Sequence, residues 1–577
     1  MKKAKLIPSI LMLVLLLGVV SVGIYAAKPS VNNITGSLTI VPPDALVEIS
    51  ASVGNTEVID TQRVAYGKTF EIENALQLSM QGASEVWEVE DTVLTINITN
   101  LSNKELGAYF YSGTGVKDGL ATADDILYAD TLGDKVDVAL SPYRHIGASD
   151  ANATTDTITM TIGFNLTKLT DDTETHEFNY TLNIEEYVPN YTDESTYVTN
   201  LEFAKISSIL NGQPRTEVPA EAFAGSPNLR TVCIPTSVTS IGPMAIVSSS
   251  LEAIHLANVN TFSQMCVMNM DMETQEMGGI VTMHTELTFD DFFKLDNEEA
   301  VQYFGCYNLY LNGAKLQYLK AEDLPQILRP LVFAGCTSIV NADISGVTSI
   351  GYAAFAYCGS LKNVKFSTNA TQIGKQAFAV CASLEEVYIL NASSIGEEAF
   401  TMCSSLTNVD ITGEITIYAY TFAECPSLTN LTLTNVSIGD RAFAQNETLT
   451  NLVLNNVESI GEYAFYGCTS LIEVTLGDNI SEIPSSAFMD CTSLTNIDLS
   501  GVTSIGEEAF YGCTSLIEVT LGKNLNTIVG RSFEGCNSNL VATYPGTIAE
   551  FQAITGYQRL SNHAVVECSD GDFTTKA

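Results

Sequence analysis

A pattern of apolar and polar positions recurs every 21 to 23 residues through the second half of the chain. One phenylalanine marks each period, and the ten markers are Phe333, Phe355, Phe378, Phe400, Phe422, Phe443, Phe465, Phe488, Phe510 and Phe533. A period of this length is typical of a solenoid, in which each repeat packs only against its neighbours. The pattern therefore predicts a repeat fold for this part of the chain.

Each repeat carries the same internal alternation. Apolar Leu406, Val409 and Ile411 are separated by polar residues, which predicts a short strand with one buried side. An Ile-Gly step such as Ile395–Gly396 is predicted to turn the chain. The Glu-Glu-Ala-Phe step that follows is predicted to form a short helical or 3₁₀ return with its Ala and Phe pointing inward. We expect the strands of successive repeats to stack as a parallel sheet.

The first part of the chain alternates with a period of two, from Asn33 to Tyr187. Its runs are rich in Val, Ile, Thr, Tyr and Phe, and Gly, Asn, Asp and Ser interrupt them, which is typical of an antiparallel sandwich. We therefore predict an all-β, immunoglobulin-like sandwich over residues 28–188. The polar stretch that follows contains Pro189 and predicts a linker over 189–202.

The remaining domain boundaries are predicted from how closely each segment matches the repeat pattern. The predicted segments are degraded repeats over 203–257, a Met-rich insertion with an amphipathic helix over 258–304, regular repeats over 305–541, a C-terminal cap over 542–568 and a disordered tail over 569–577. A cap is expected because an open last repeat would expose its apolar interior and its sheet edge.

The N-terminus has the composition of an export signal. Lys2, Lys3 and Lys5 precede an apolar run that extends to Ala27. Residues 1–27 are predicted to be a cleaved signal peptide or, alternatively, an uncleaved N-terminal anchor, because the run is long enough to span a bilayer. Both alternatives predict a secreted or cell-surface protein.

The regular repeats resemble the BspA-like (Treponema-type) leucine-rich repeat family. The resemblance rests on IGEEAFYGCTSLIEVTLG from Ile505, on IGEYAFYGCTSLIEVTLG from Ile460, and on looser copies between Phe223 and Phe533. It implies a right-handed leucine-rich-repeat solenoid in a surface protein that adheres to host or neighbouring cells. The N-terminal domain is weakly similar to the sandwich subunits of TasA/camelysin-type fibre proteins.

Charge and motif content exclude whole classes of function. The chain has 26 Lys and Arg against 67 Asp and Glu, a formal net charge of −41. Nucleic acid is excluded as a partner because phosphate-backbone binding needs clustered cations. The sequence contains no P-loop, GxSxG or HExxH motif, and its five histidines follow no ligand spacing. We therefore predict a protein that is not an enzyme and holds no cofactor.

Nine of the thirteen cysteines lie three residues after a marker phenylalanine, and Asn446 takes that place in one repeat. The nine are Cys336, Cys358, Cys381, Cys403, Cys425, Cys468, Cys491, Cys513 and Cys536. This fixed phase predicts buried thiols that pack as small apolar side chains and donate weakly to a backbone carbonyl in the turn. A few disulfides between neighbouring repeats are the alternative, although parallel side chains suit that geometry poorly.

Six of the thirteen methionines lie between Gln264 and His284, close to Cys266. Closely spaced thioethers are ligands that Cu(I) prefers, so copper binding is one interpretation of this segment. The favoured interpretation is an insertion in which methionine fills irregular gaps against the solenoid.

The outward positions of the predicted strands form two columns, which are the candidate partner-binding residues. They are Asn363, Lys365, Glu386, Tyr388, Asn408, Asp410, Asn430, Thr432, Glu473, Asn496, Asp498 and Glu518. Because the columns are polar and acidic, a basic protein or a glycan is the expected ligand. The alternative is that these residues only solvate a parallel sheet.

Two functions remain open at this point. The leading hypothesis is an exported, non-enzymatic surface protein that mediates adhesion or protein–protein interaction. The alternative is a structural matrix or envelope component whose N-terminal sandwich self-assembles and whose repeats act as spacers.

Overall fold

The fold is described from a computed structural model of the chain. The structure describes residues 30–38, 47–53, 56–64, 68–79, 92–101, 104–112, 126–127, 129–132, 136–141, 143–146, 148, 156–166, 174–187, 189–190, 201–256, 259–263, 266–269, 280–285, 307–311, 314–368, 372–390, 392–560 and 564–574. The chain divides into two compact units, Met1–Leu316 and Gln317–Ala577.

The first unit contains two antiparallel sheets before residue 190. In spatial order, the first sheet has strands Ser30–Leu38, Lys68–Ser79, Glu174–Glu186, Leu106–Tyr111 and Arg144–Ile146, and the second has Thr56–Val64, Val47–Val53, Thr92–Asn100, Asp156–Leu166, Val136–Leu140 and Ala129–Leu132. Alternate residues such as Leu94, Ile96 and Ile98 are buried, as the period of two requires. The predicted strand character is present, whereas the immunoglobulin-like sandwich stays a prediction.

A parallel sheet follows in the same unit. Its strands are Phe203–Lys205, Thr231–Cys233, Ala253–His255, Val281–Thr285 and Tyr307–Leu311, and Ala314–Lys315 pairs with the last of them in antiparallel orientation. Shorter strands of the same turns are Ile209–Leu210, Gln213–Pro214, Glu217–Val218, Ser240–Ile241, Ile246–Val247, Thr261–Phe262 and Val267–Met268. Of the predicted linker only 189–190 and 201–202 are described, and the predicted helix within 258–304 lies outside the described residues.

The second unit is a stack of short parallel strands. They are Tyr318–Leu319, Ile327–Leu328, Asn341–Asp343, Ser349–Ile350, Asn363–Lys365, Gln372–Ile373, Glu386–Leu390, Ser394–Ile395, Asn408–Ile417, Asn430–Ile438, Asn451–Asn455, Glu473–Thr475, Glu482–Ile483, Asn496–Leu499, Ser504–Ile505, Glu518–Leu521, Thr527–Ile528, Val541–Thr543 and Val565–Cys568, with Gly571–Thr574 antiparallel to the last. The predicted solenoid is therefore confirmed for the regular repeats.

The marker phenylalanines form the core of this unit. All ten are fully buried, and the ring centroids of successive markers lie 4.9 to 5.6 Å apart in stacked orientation. Burying such a side chain contributes about 1.5–3 kcal/mol, and a favourable aromatic pair adds about 0.5–1.5 kcal/mol. One residue type at one phase therefore supplies a continuous apolar column.

The return after each Ile-Gly step is not the helical or 3₁₀ turn that the sequence predicts. In the repeat of Phe400, the residues two before and two after the marker, Glu398 and Met402, have φ of 57° and 58°. The same two positions are left-handed in every repeat from Phe333 to Phe510, and such residues cannot continue a right-handed helix. The N–H groups of Glu398, Phe400 and Met402 instead donate to carbonyl oxygens of the next repeat at 2.7 to 3.0 Å. Each return is thus a pair of turns bonded to its neighbour.

The glycine of the Ile-Gly step lies where neighbouring repeats approach closely. A Cβ on Gly396 would lie 2.6 Å from the carbonyl carbon of Gly374. Tyr418 takes this position in the repeat of Phe422, and its side chain is 51% exposed. That repeat therefore departs from the pattern at its surface.

A short cap closes the second unit. The helix Ile548–Gln552 begins at a capping box in which Thr547 accepts from the Glu550 N–H. The strand Gly571–Thr574 lies in the segment predicted to be a disordered tail, so that prediction is wrong for these four residues. The reason is packing, because the Phe573 ring lies 6.0 Å from the ring of Phe551.

Candidate functional site

The predicted columns are present on the outer side of the parallel strands of the second unit. Glu386, Asn408 and Asn430 lie in direct register on neighbouring strands, as do Tyr388 and Asp410 beside them. All twelve candidate residues are exposed or partly exposed, and the residues between them on each strand are buried. The alternation read from the sequence therefore places these side chains on the same outward side of successive strands, which we name the strand face.

A hydrogen-bond chain crosses the strand face near its middle. The Tyr388 hydroxyl donates to the Glu386 carboxylate at 2.9 Å and accepts from the Asn408 amide at 2.9 Å. The Tyr388 ring is 48% exposed. The hydrogen bond to Glu386 raises the pKa of Tyr388 above its ordinary value. The face therefore offers a fixed aromatic ring, a carboxylate and an amide to a ligand.

The first strands of this face carry its positive charge, but that charge is already paired. Lys365 Nζ lies 2.8 Å from Asp343 on the neighbouring strand. Burial alone would raise the pKa of Asp343, but hydrogen bonds from Lys365 and Ser345 hold it below its ordinary value. Among the described residues, the charges of the face that have no ion-pair partner are therefore acidic, at residues such as Glu473 and Glu518.

The repeat cysteines are structural. Eight of the nine are buried, and none of the described cysteines forms a disulfide. The Cys403 thiol donates to the Phe378 carbonyl of the preceding repeat at 3.3 Å, and the equivalent bond recurs at 3.1 to 3.4 Å from Cys358 to Cys536. Burial raises the pKa of Cys381 to about 12. These thiols therefore stay neutral, which does not suit a nucleophile.

Asn446 reproduces this bond where the cysteine row is interrupted. Its amide nitrogen donates to the carbonyl of Phe422 in the preceding repeat at 3.0 Å and to that of Phe443 at 2.9 Å. Its amide oxygen accepts from the Cys425 N–H at 2.9 Å. The interruption therefore keeps the contact between repeats and changes only the donor.

The equivalent strand face of the first unit is buried. Lys205, Cys233, His255, His284 and Tyr310 lie in register on successive strands, and all five are less than 10% exposed. Side chains from the antiparallel strands Arg144–Ile146 and Glu174–Glu186 contact this column. This contact was not predicted from the sequence. The signal for it is a strand without alternation of apolar and polar residues, which is typical of a sheet covered on both faces.

A buried ion pair lies at one end of this covered face. Lys205 Nζ is 2.9 Å from the Glu185 carboxylate, and both side chains are less than 10% exposed. The Tyr143 hydroxyl donates to the same carboxylate oxygen at 2.8 Å, and its ring centroid lies 4.8 Å from Lys205 Nζ. Each buried charge therefore has a partner, as burial requires.

Two histidines lie further along the covered face. Arg144 Nη1 is 3.0 Å from His255 Nε2, and the His284 ring stacks on Tyr310 at 4.5 Å. Burial, together with the charge of Arg144, lowers the pKa of His255 well below its ordinary value and that of His284 to about 3. Both imidazoles are therefore neutral near pH 7.

The family of the chain follows from its repeats. The model of the BspA type leucine rich repeat region matches in 6 copies, over residues 172–297, 326–450 and 436–555, which is more than half of the chain. The chain belongs to the BspA-type leucine-rich repeat family. No curated protein matches it.

Two of the solved structures similar to this BspA-type chain are bacterial leucine-rich repeat proteins. A leucine rich cell surface protein from Faecalibacterium prausnitzii shares 19% identity, over 75% of this chain and 99% of that one, with a TM-score of 0.35. A leucine-rich repeat protein from Bacteroides ovatus shares 23% identity, over 64% and 96%, with a TM-score of 0.38.

The Met-rich segment of this BspA-type chain is described only in part. Cys266, Met268, Met283 and His284 are all buried, whereas the other four methionines of the segment lie outside the described residues. Within the described ranges, no three His, Cys, Asp or Glu side chains are grouped so that they could hold a metal ion. His284 packs in the covered face, so copper binding at the remaining residues stays a hypothesis.

Membrane anchoring stays equally open. No helix in the described part of the chain is both long and apolar enough to cross a bilayer. The predicted signal or anchor over 1–27 lies outside the described residues.

Proposed function

We propose that this protein is exported to the cell surface and that its second unit binds a protein or glycan on a host or neighbouring microbial cell. Membership of the BspA-type family supports a surface interaction protein, and the basic and apolar N-terminus supports export. Acting by adhesion, the protein is a binding module and not an enzyme.

The observation that carries the proposal is the exposure of the strand face in one unit only. The equivalent column of the first unit is covered by the chain itself, from Lys205 to Tyr310. Along the second unit the same strand positions are open to solvent from Asn363 to Glu518. A surface with an exposed ring at Tyr388, and with carboxylates that form no ion pair within the described part of the chain, suits a basic protein segment or the hydroxyl groups of a glycan.

A four-residue variant tests the strand face. Replacing Glu386, Asp410 and Glu473 by the corresponding amides and Tyr388 by Ala should abolish adhesion of the full-length protein to cells or immobilised matrix proteins. A control variant carries the same changes at four exposed residues outside the candidate columns, which are Tyr352, Glu447, Asp478 and Glu482. Adhesion that is lost equally in both variants, or in neither, would refute a role for the strand face.

The N-terminal region supports a second candidate function. We propose that its two antiparallel sheets form the immunoglobulin-like sandwich, and that this domain can self-assemble while the repeats act as spacers. Among the strands that the structure describes, Ser30–Leu38 and Thr56–Val64 end their sheets and each pairs with one neighbour, and such edges can accept a strand from another molecule. Light scattering at increasing concentration of the full chain tests this. A monomer at all concentrations would exclude it.

A further inference from the structure

Three side chains lie close together at the same position of successive repeats, on the turn that leads to each marker phenylalanine. Tyr420, Arg441 and Tyr463 each lie two residues before a marker phenylalanine and have φ of 55° to 57°. The N–H group of each donates to the next repeat at 2.9 to 3.1 Å. Because the backbone repeats so closely, the three side chains leave it at equivalent points. We name these residues, together with exposed Tyr418 two residues before Tyr420 in the chain, the Tyr–Arg column.

The Arg441 guanidinium is held between two rings. Its central carbon lies 4.3 Å from the ring centroid of Tyr463 and 5.6 Å from that of Tyr420. The Tyr463 ring is packed in turn against Tyr466, with centroids 6.1 Å apart. Stacking engages the faces of a guanidinium and leaves its N–H edge available. No carboxylate in the described part of the chain forms an ion pair with Arg441.

Arg531 occupies the same repeat position as Arg441, but its guanidinium is paired with carboxylates. It also lies over a tyrosine, with its central carbon 5.4 Å from the Tyr511 ring centroid. Its guanidinium, however, is paired with Glu508 and lies 3.9 Å from Glu534. The two arginines thus differ in whether the N–H edge is already occupied.

We propose that the Tyr–Arg column binds a terminal acidic sugar of a glycan, one that carries a single carboxylate, as sialic acid does. The planar fork of a stacked arginine matches a carboxylate in bidentate fashion. The rings of Tyr418 and Tyr420, 51% and 37% exposed, offer apolar surface to the C–H face of the sugar. This site goes beyond the strand face, because none of its residues belongs to the two candidate columns.

The acidic residues around Arg441 limit how much negative charge a ligand can carry. Asp440 and Glu462 are exposed neighbours of Arg441 in the chain and in the next repeat, and the Asp440 carboxylate accepts the Glu462 N–H at 2.9 Å. A polysulfated chain would meet these carboxylates and the net charge of −41. One carboxylate on an otherwise neutral sugar avoids most of that repulsion.

Titration of the full-length protein with 3′-sialyllactose, lactose and a heparin oligosaccharide tests the proposal. Sialyllactose should bind at least about tenfold more tightly than lactose, because only sialyllactose has a carboxylate that can make the charge-assisted bidentate contact with Arg441. Heparin should not compete. The variant Arg441→Gln should lose about tenfold in sialyllactose affinity. The affinity of Arg441→Lys should lie between those of the wild type and Arg441→Gln, because lysine keeps the positive charge but cannot make the bidentate contact of a guanidinium.

Arg531→Gln is the matched control and should leave sialyllactose affinity unchanged within about twofold. Equal binding of lactose and sialyllactose, no binding of sialyllactose, or an equal loss in both arginine variants would overturn the proposal. The four-residue strand-face variant should still bind sialyllactose. If that variant loses sialyllactose while Arg441→Gln does not, the acidic sugar belongs to the strand face and the Tyr–Arg column is not a site. Unchanged thermal unfolding confirms that each variant is folded.

Discussion

The two units use the same stacked parallel strands with opposite exposure of the outward side chains. In the first unit, the outward residues Cys233, His255 and His284 are buried beneath antiparallel strands of the same unit. In the second, outward residues such as Tyr388 and Asn430 face solvent. One backbone pattern therefore serves as an internal packing surface in one place and as an open surface in the other.

The difference lies in the chemistry of the outward positions. A covered face needs residues that tolerate burial or pair with each other, such as Lys205 with Glu185. An open face carries acidic and amide side chains that interact with water. The family model matches both regions, over 172–297 and 326–555, so membership of the family alone does not separate the two roles.

The largest expected effect concerns the core that supports the open face. Phe400→Ala should destabilise the second unit by about 3–5 kcal/mol, because it leaves a cavity in the phenylalanine stack. Tyr388→Ala, on the strand face of the same turn, should cost about 0.5 kcal/mol or less. Hydrogen exchange of peptides from residues 317–577 measures both variants. Similar losses would mean that the strand face is part of the core of this unit.

Two lysines that are paired with carboxylates sharpen the comparison between the units. Lys205→Met should destabilise the first unit by about 3 kcal/mol, because Glu185 would remain buried without its cation. Lys365→Met breaks the exposed pair with Asp343 and should cost less than about 1 kcal/mol. Urea unfolding followed by limited proteolysis reports on each unit. Equal costs would contradict the assignment of one covered and one open face.

Acidification should weaken the first unit through its buried histidines. A histidine whose pKa is lowered on folding binds a proton more readily in the unfolded chain than in the folded one. Its contribution to the free energy of unfolding is therefore complete above the ordinary pKa of 6.5 and is lost as the pH falls towards the folded-state pKa, which is about 3 for His284. At pH 5 the loss from His284 alone should be about 2 kcal/mol.

Hydrogen exchange at pH 7 and pH 5, corrected for intrinsic rates, measures this loss. The variant His284→Gln should reduce the pH dependence of the first unit in this range by the share that His284 contributes, while His255, whose pKa is also lowered, keeps its own share. The second unit has only His563, which lies outside the described residues, and should change little. An equal response of both units would show that the effect does not come from the covered face.

An effect of similar size is expected where the cysteine row is interrupted, and a smaller one from the variant that restores a cysteine there. Asn446→Ala should cost about 2 kcal/mol, because buried partners including the Cys425 N–H lose their bonds. Asn446→Cys should cost less, since it restores the donor that the other repeats use at this phase. Chemical denaturation measures both variants. Equal destabilisation would show that the donor at this position does not hold the repeats together.

The prediction from sequence succeeded where one residue type recurs at one phase. The stack from Phe333 to Phe533, the thiol-to-carbonyl contacts of Cys358 and its equivalents, and the alternation around Asn408 all follow from a local period. A structural role repeated at a constant spacing leaves the same mark in every repeat, so even the substitution at Asn446 could be recognised.

The prediction failed where conformation or partners depend on neighbouring repeats. Glu398 and Met402 adopt left-handed backbone although glutamate and methionine favour helix, because their N–H groups bond to the adjacent turn. The strand at Gly571–Thr574 forms for a similar reason, since its Phe573 packs against the cap. Intrinsic propensity is too weak to compete with these contacts.

By itself, the sequence determined that the chain contains a leucine-rich-repeat solenoid, which residues fill its interior, and which side chains leave each strand outward. Only the tertiary structure decided which outward residues stay accessible. It also decided that the Arg441 guanidinium lies between two rings with no ion pair to a carboxylate of the described residues, while the Arg531 guanidinium is paired. The physical reason is distance along the chain. A sequence period reflects contacts between equivalent positions one repeat apart. The burial of a strand face and the pairing of its charges depend instead on residues far apart in the chain that belong to no common repeat, such as Arg144 and His255.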